Sequence, residues 1–354
     1  MNRFDFKLLE LDDIPDEEFN GFQNKSLFTT KEWIRFVEDD SGAKPVTVGI
    51  YDQGRRIGFF SGLSVRKFGV KIVASPFNGW STCFMGIDVA DGYDKLEIFS
   101  ELKCFLFKAC RCSYIEIIDR EITMEMAKAA GFECVPVNTL ELEIGHRTDE
   151  EILQVFNHTS RNLIRQFQKR GALLEIAEPN DEFAEEFYIQ LESVFAKQHL
   201  VPTYTLEKVK TLIQHLAPTD IILCLRVRNP EGKSIATSIF LGYNKQLYFW
   251  GCASYRAELS YRPIEFMIWT AIRYWRDRGV ERFDMVGVRD YKRKFGSHEE
   301  EYARLIFARF RILIFMRNSA QTLFFFMLKV KGRLLDDWYR LVLRQERGSV
   351  SGQA

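Results

Sequence analysis

The order in which local patterns recur constrains this chain more than any single residue does. Val46–Tyr51 alternates apolar and polar positions, Gly54 supplies a turn, and Ile57–Val65 alternates again, which is the signature of a hairpin. Helical spacing follows over Tyr93–Cys110, with Leu96, Phe99, Leu102, Phe105 and Leu106 on one side. Then come a short strand at Tyr114–Ile118, a helix over Met124–Ala130 stopped by Gly131, and a strand at Leu140–Ile144. The later part repeats the order. Ile221–Val227 is a strand, Pro230-Glu231-Gly232 a turn, and Ile235–Tyr243 and Lys245–Ala253 are strands. A helix over Pro263–Arg278 stops at Gly279, and Arg282–Val286 is a strand. The fold class expected is α/β (α+β): a duplicated unit, each copy a mixed central sheet flanked by helices. The halves share little residue identity, so the duplication is one of element order.

The 354 residues suit two such units of about 150 residues each. The join is expected near Gly145–Thr148, giving units 1–145 and 146–311 and an amphipathic helical tail over 312–354. Thr148 caps a helix running through Glu150 and Glu151, and a second helix follows over Ser160–Gly171. The tail helix is expected from about Ser319 to Arg344. Lys+Arg and Asp+Glu both number 49, so no overall basic field holds a polyanion and any such contact needs a local patch. Cys110 and Cys112 are too close for a zinc pair, the five His are dispersed, and no metal site is expected. The seven Cys are read as reduced, which points to the cytoplasm. Met1–Asp13 lacks the apolar run of a signal peptide, and Asn318–Leu328 is too short to span a bilayer.

Several motifs fail on context. Gly232-Lys233-Ser234 resembles the end of a phosphate loop, but a strand follows it and the earlier glycine is Val227. There is no Gly-x-Gly-x-x-Gly and no Gly-x-Ser-x-Gly nucleophile elbow, and the sequon Asn157-His158-Thr159 has no meaning without secretion. Chemistry without a metal or a covalent intermediate is left.

The stretch from Ser260 to Phe295 carries the most information. A Pro-opened helix (Ser-Tyr-Arg-Pro-Ile-Glu-Phe-Met-Ile-Trp) ends at a Gly; Phe-Asp-Met-Val-Gly follows, then Tyr291-Lys292-x-x-Phe295-Gly. This resembles the C-terminal half of FemAB-like acyltransferases of the GNAT superfamily. The basic helix Ser160–Gly171 and the Phe187-Tyr188 helix match that family's layout. The resemblance covers most of the chain in element order and is sharp over Ser260–Gly296. It implies tandem GNAT-like domains and transfer of an acyl or aminoacyl group to an amine or hydroxyl, in peptidoglycan-precursor or exopolysaccharide modification. In such a fold two central strands splay, and exposed N–H groups polarise the donor carbonyl. Donor phosphates sit at the start of the following helix, here Pro263, with Gly251 on the strand and Arg256 and Arg262 as flanking cations. Leu259 and Tyr261 stand where users of coenzyme A carry glycines, and their bulk blocks close backbone approach. No tightly bound cofactor is expected, and the donor is left open among acyl-coenzyme A, an acyl carrier and aminoacyl-tRNA.

Each candidate residue has a plain alternative. Lys292, with Tyr291 beside it, is expected to contact donor phosphate or a developing oxyanion; otherwise it is a surface Lys beside a core Phe. Asp284 and Asp290 would orient Lys292 or accept a proton, or are simple loop carboxylates. Arg161, Arg165 and Lys169 share a helix face suited to a polyanionic donor such as tRNA, or to solvent. His199 is a catalytic candidate, and Tyr188 and Tyr204 are acceptor-lining candidates, in a region that resembles the acceptor side of relatives. Tyr248 and Trp250 read as core. The tail's Phe and Leu residues with Lys329, Lys331, Arg333 and Arg340 suit either packing on the body or an anionic membrane surface near a lipid-linked acceptor. The expected partners are a small-molecule or lipid-linked acceptor and a tRNA donor. The rival class is a binding or scaffold protein on a GNAT fold that has lost catalysis.

Overall fold

Alternating runs become strands of one continuous sheet. The computed structural model describes residues 3–196, 202, 204–317 and 319. In the first half β1 (Phe4–Leu9), α1 (Asp16–Asn20) and α2 (Lys31–Ser41) precede the hairpin strands β2 (Lys44–Asp52) and β3 (Arg55–Lys67). Then come β4 (Val70–Ser75), β5 (Ile87–Val89), α3 (Lys95–Ala109), β6 (Tyr114–Ile118), α4 (Met124–Ala129) and β7 (Cys134–Glu143). The second half begins with α5 (Asp149–Val155), whose capping box joins Thr148 and Glu151 as the sequence suggests. It continues through α6 (His158–Lys169), β8 (Leu173–Ala177), α7 (Asp181–Ala196), α8 (Leu206–Leu216), β9 (Ile222–Arg228), β10 (Ser234–Tyr243) and β11 (Gln246–Ser254). A short 3-10 segment, Arg256–Tyr261, leads to α9 (Pro263–Arg276), β12 (Arg282–Asp284), α10 (Asp290–Arg293) and β13 (His298–Ala308).

The sheet runs β1-β2-β3-β4-β6-β13-β7-β12-β11-β10-β9-β8, with β5 beside β3. The class is the mixed α/β one expected. The order holds a surprise at its centre. β13, which follows the whole second half in sequence, lies between β6 and β7, pairing Leu305 with Ile117 on one side and Tyr302 with Val137 on the other. Its apolar Ala303, Leu305 and Phe307 complete the core beneath α3 with Phe99, Leu102 and Ile115. The expected units 1–145 and 146–311 therefore share one sheet, and the later one lends the earlier a strand. Residues 303–311 read from sequence alone give no sign of this, because alternation fixes a strand's faces but not its neighbours.

Helices cover both faces. α9 lies under the second half, with Ile268, Ile272 and Trp275 against Phe240, Leu247 and Phe283. On the opposite face α2, α7 and α8 share a core with Phe59, Phe187, Leu212 and Tyr248 that crosses between the halves. Lys208 of α8 ties this layer together, donating to Asp40 of α2 at 2.7 Å and to the Gly79 carbonyl at 3.0 Å. The tail helix expected from Ser319 to Arg344 lies outside the described residues, apart from Ser319 itself.

Candidate active site

The sheet opens at one place. β11 and β12 pair in parallel only through Gln246↔Arg282, Leu247↔Phe283 and Tyr248↔Asp284. Beyond this the Met285 N–H turns to the Leu140 carbonyl at 2.8 Å, so the chain follows β7 and leaves β11. β11 continues alongside β10 as far as Ser254. Peptide groups of a strand point alternately to either side, so those of Phe249–Ser254 that face the gap have no strand to pair with. A bulge accompanies the parting. Phe240 pairs with Phe249 and Ile239 with Gly251, which makes Trp250 the extra residue. Such a bulge raises local twist and re-aims the strand.

Lys292 of α10 lies at the mouth of this gap. Its side chain is buried, and Nζ donates to the carbonyls of Met285 and Val286, the latter at 2.7 Å. It also sits 5.5 Å from the ring centre of Phe249, the first residue of β11 beyond the pairing. An ammonium has three N–H groups, so one is left over. Burial lowers the Lys292 pKa to about 8, with the Asp284 carboxylate opposing the shift. Asp284 is wholly buried. Its Oδ1 accepts from Thr139 Oγ1 at 2.5 Å and from the Val286 N–H at 2.7 Å, while Oδ2 has no partner. Burial, then the charge of Glu141, pushes its pKa up to about 6. Together these groups hold a strained turn, with Val286 at φ +57° and Gly287 at +78°. For a β-branched residue the left-handed region costs about 1–2 kcal/mol, so the turn persists because its surroundings dictate it.

The start of α9 faces the same region in sequence. Pro263 opens the helix and Arg262, at φ +60°, precedes it without a side-chain cap; the Arg262 Nε is buried and unpartnered. Glu265 of the first turn is paired with Lys294 at 2.7 Å. Phe266 stacks on Phe167 at 4.1 Å, which brings the basic helix α6 beside this turn. The corresponding helix of the first half is closed instead. Asp94 caps α3 by accepting the Leu96 N–H at 2.8 Å, and Lys95 is tied to Asp119 at 3.0 Å. Of these two helices, α9 is the one that starts without a side-chain cap.

A polar stripe crosses the sheet on the face opposite α9. Leu140 and Leu142 of β7, and Ile144 just after it, point into the α9 core, so the alternate residues Thr139, Glu141 and Glu143 take the other face. Buried Glu141 accepts from Arg120 and Tyr302, both at 2.7 Å, and Arg120 also donates to Gln246 Oε1. The Gln246 Nε2 is buried without a partner. Above the stripe lies a cavity of about 420 Å³ between the halves, lined by Ser26, Asp119 and Arg120 from one side and Gln246, Tyr248 and Arg282 from the other. Tyr248 neighbours Asp284 in register, so the cavity floor adjoins the end of β12. Sequence reasoning did not find this stripe. Its signal is the Thr-x-Glu-x-Glu alternation in the second half of β7.

The expected residues separate into groups. Lys292, Asp284 and Gly251 come together around the gap. Tyr291, beside Lys292 on α10, is exposed over about half its surface. Arg256 is exposed, and no residue of its 3-10 segment is buried, so the approach to α9 is open. The absence of a side chain at Gly251 has a packing cause: a Cβ would meet Tyr204 Oη at 2.8 Å and the Phe187 ring at 2.9 Å. Tyr204 lies on Trp250 at 4.8 Å on the α7 face, and burial raises its pKa. Tyr188 is half-buried against the same core. Arg161 is turned back onto the end of α5, donating to the Gln154 carbonyl at 3.1 Å, whereas Arg165 is exposed. His199 lies outside the described residues. Among the described residues no group of His, Cys, Asp and Glu could hold a metal ion.

Residues 155–293 match the acetyltransferase (GNAT) domain model. Among solved structures, the chain is similar to FemX, with a TM-score of 0.68 at 14% identity over 84% of this chain and 96% of that one. It is also similar to a tandem GNAT protein from the clavulanic acid biosynthesis pathway, with a TM-score of 0.50 at 10% identity over 86% and 98% of the two chains. A conserved protein of unknown function from Bacteroides thetaiotaomicron gives a TM-score of 0.51 at 12% identity over 85% and 99%. No curated protein matches the sequence.

Proposed function

With the FemAB-like GNAT fold as premise, we propose that this protein transfers an acyl or aminoacyl group from an activated carrier to an amine or hydroxyl of a cell-wall or polysaccharide-related acceptor. The observation that carries the reading is the parting of β11 from β12 beyond Tyr248 and Asp284, with Lys292 buried at its mouth. The donor carbonyl lies in the gap. Uncovered N–H groups of β11 and the remaining N–H of Lys292 receive its oxygen as charge develops. The donor phosphates meet the uncapped start of α9 and Arg262. The acceptor enters from the inter-half cavity. Its nitrogen or oxygen forms a bond to the carbonyl carbon and loses a proton, and the carrier leaves as thiol or ribose hydroxyl after taking one up. Asp284 is a positioning residue, holding the Val286–Gly287 turn and the charge of Lys292.

Leu259 and Tyr261 at the approach favour a donor other than a compact acetyl-coenzyme A. The test is donor binding by calorimetry across acyl-coenzyme A, acyl carrier protein and charged tRNA, with Arg262→Ala beside the natural protein. One donor class is expected to bind, about tenfold more weakly to the variant. Binding of none would favour the scaffold reading, and unchanged affinity in the variant would remove Arg262 from the donor site.

A further inference from the structure

One end of the sheet carries a surface of unusual make-up. Three neighbouring strands end together there. The Ser113 N–H donates to the Lys71 carbonyl at 2.9 Å, and the Arg309 N–H donates to the Ser113 carbonyl at 3.0 Å. The β3–β4 turn projects from the same end, since Arg66 pairs with Lys71 and Lys67 with Val70. At its tip Phe68 is 91% exposed, with φ +49° followed by Gly69 at +79°. Neither packing nor conformation asks for Phe there; Asn or Gly suits such a turn better. Just past β13, Phe310, Ile312, Phe315 and Met316 are 64%, 59%, 68% and 47% exposed. Among these groups stand Arg66, Lys67, Lys71, Arg111 and Arg311. None of them is paired with a carboxylate among the described residues.

We propose that this end of the sheet docks on an anionic lipid bilayer, with Phe68 and the Phe310–Met316 side chains reaching below the headgroups and the cations meeting lipid phosphate. The inference is independent of the acyl-transfer reading. Apolar tips on separate elements, set among unpaired cations, match the layered chemistry of a membrane interface. A nucleic acid would satisfy the cations and leave Phe68 and Phe315 in water. The sequence beyond residue 317 keeps the same sign, with six Lys or Arg against three Asp or Glu. No described helix is long and apolar enough to cross a membrane, so the contact is peripheral.

The test is sedimentation of the full chain with vesicles of phosphatidylcholine alone or mixed with phosphatidylglycerol, with and without competing tRNA. Binding to the mixed vesicles alone is expected, weakened by salt. Phe68→Asn, which suits the turn, should lower affinity about tenfold, as should Arg311→Glu. Ile176→Asn, on the distant edge strand β8, should not change it. A chain ending at Arg317 should keep its preference for the charged vesicles. The proposal is overturned if neutral vesicles bind equally well or if Phe68→Asn binds like the natural protein. It is also overturned if tRNA displaces the vesicles while Phe68→Asn leaves RNA binding intact, or if the patch mediates self-association without lipid.

Discussion

At the scale of single residues, Lys292 and Asp284 form a pair that burial pushes toward neutrality from opposite sides, to about 8 and about 6. Lys292 is protonated below about 8, so a role on a developing oxyanion predicts a kcat/KM that falls as pH rises through that value. Lys292→Met should lower kcat about a hundredfold, the usual loss for one oxyanion donor. Lys292→Arg, which stays charged, should keep part of the rate and lose the alkaline limb. A pH profile with the same limb in Lys292→Arg would assign it to another group. The linkage to stability has a definite sign. The unfolded Lys holds its proton to a higher pH than the folded one, so stability should rise between about pH 8 and 10.5. For Asp284 the folded state holds the proton longer, so stability should fall between about pH 4 and 6. The family motif made Lys292 legible in the sequence. Its burial and its two carbonyl partners were not, because they depend on where the Val286–Gly287 turn lies in space.

At the scale of elements, the bulge at Trp250 and the close approach of Tyr204 to Gly251 set the shape of β11. A methyl group at residue 251 would fall within 2.8 Å of Tyr204 Oη. Gly251→Ala should therefore cost about 1–3 kcal/mol in urea unfolding. Adding Tyr204→Phe, which removes the clashing oxygen, should recover part of it. No recovery would mean that the backbone of the bulge, not Tyr204, refuses the side chain. Much at this level could be read in advance. The turn at Pro230-Glu231-Gly232, the helix opened by Pro263 and the short Phe283-Asp284 strand are all local signals, and the structure has them within a few residues. The polar stripe was missed because it exists only after β6, β7, β11, β12 and β13 are aligned. β7 contributes three residues and the other strands fewer, and none marks a site until its neighbours are in place.

At the scale of the whole molecule, the position of β13 governs what can fold alone. Residues 1–145 contain β6 and β7 but not the strand that pairs with both. If expressed alone they should lack cooperative unfolding by circular dichroism, and adding residues 296–311 in trans or by fusion should restore it. A stable, cooperative 1–145 fragment would instead establish that the first unit stands without its borrowed strand. Element order announced two similar units, and in the structure their strands run on into one sheet. It could not announce the exchange, since pairing across about 160 to 190 residues leaves no trace in local periodicity.

The borrowed strand also sets a timetable. During synthesis from the amino end, the facing edges of β6 and β7 would wait unfilled until residue 308 had been made. At about 5–20 residues per second that delay is roughly 8–33 s. Ribosome-bound chains short of that point should attract chaperones, and a stalling sequence placed far enough beyond Ala308 for β13 to clear the exit tunnel should relieve the dependence that one placed before His298 creates.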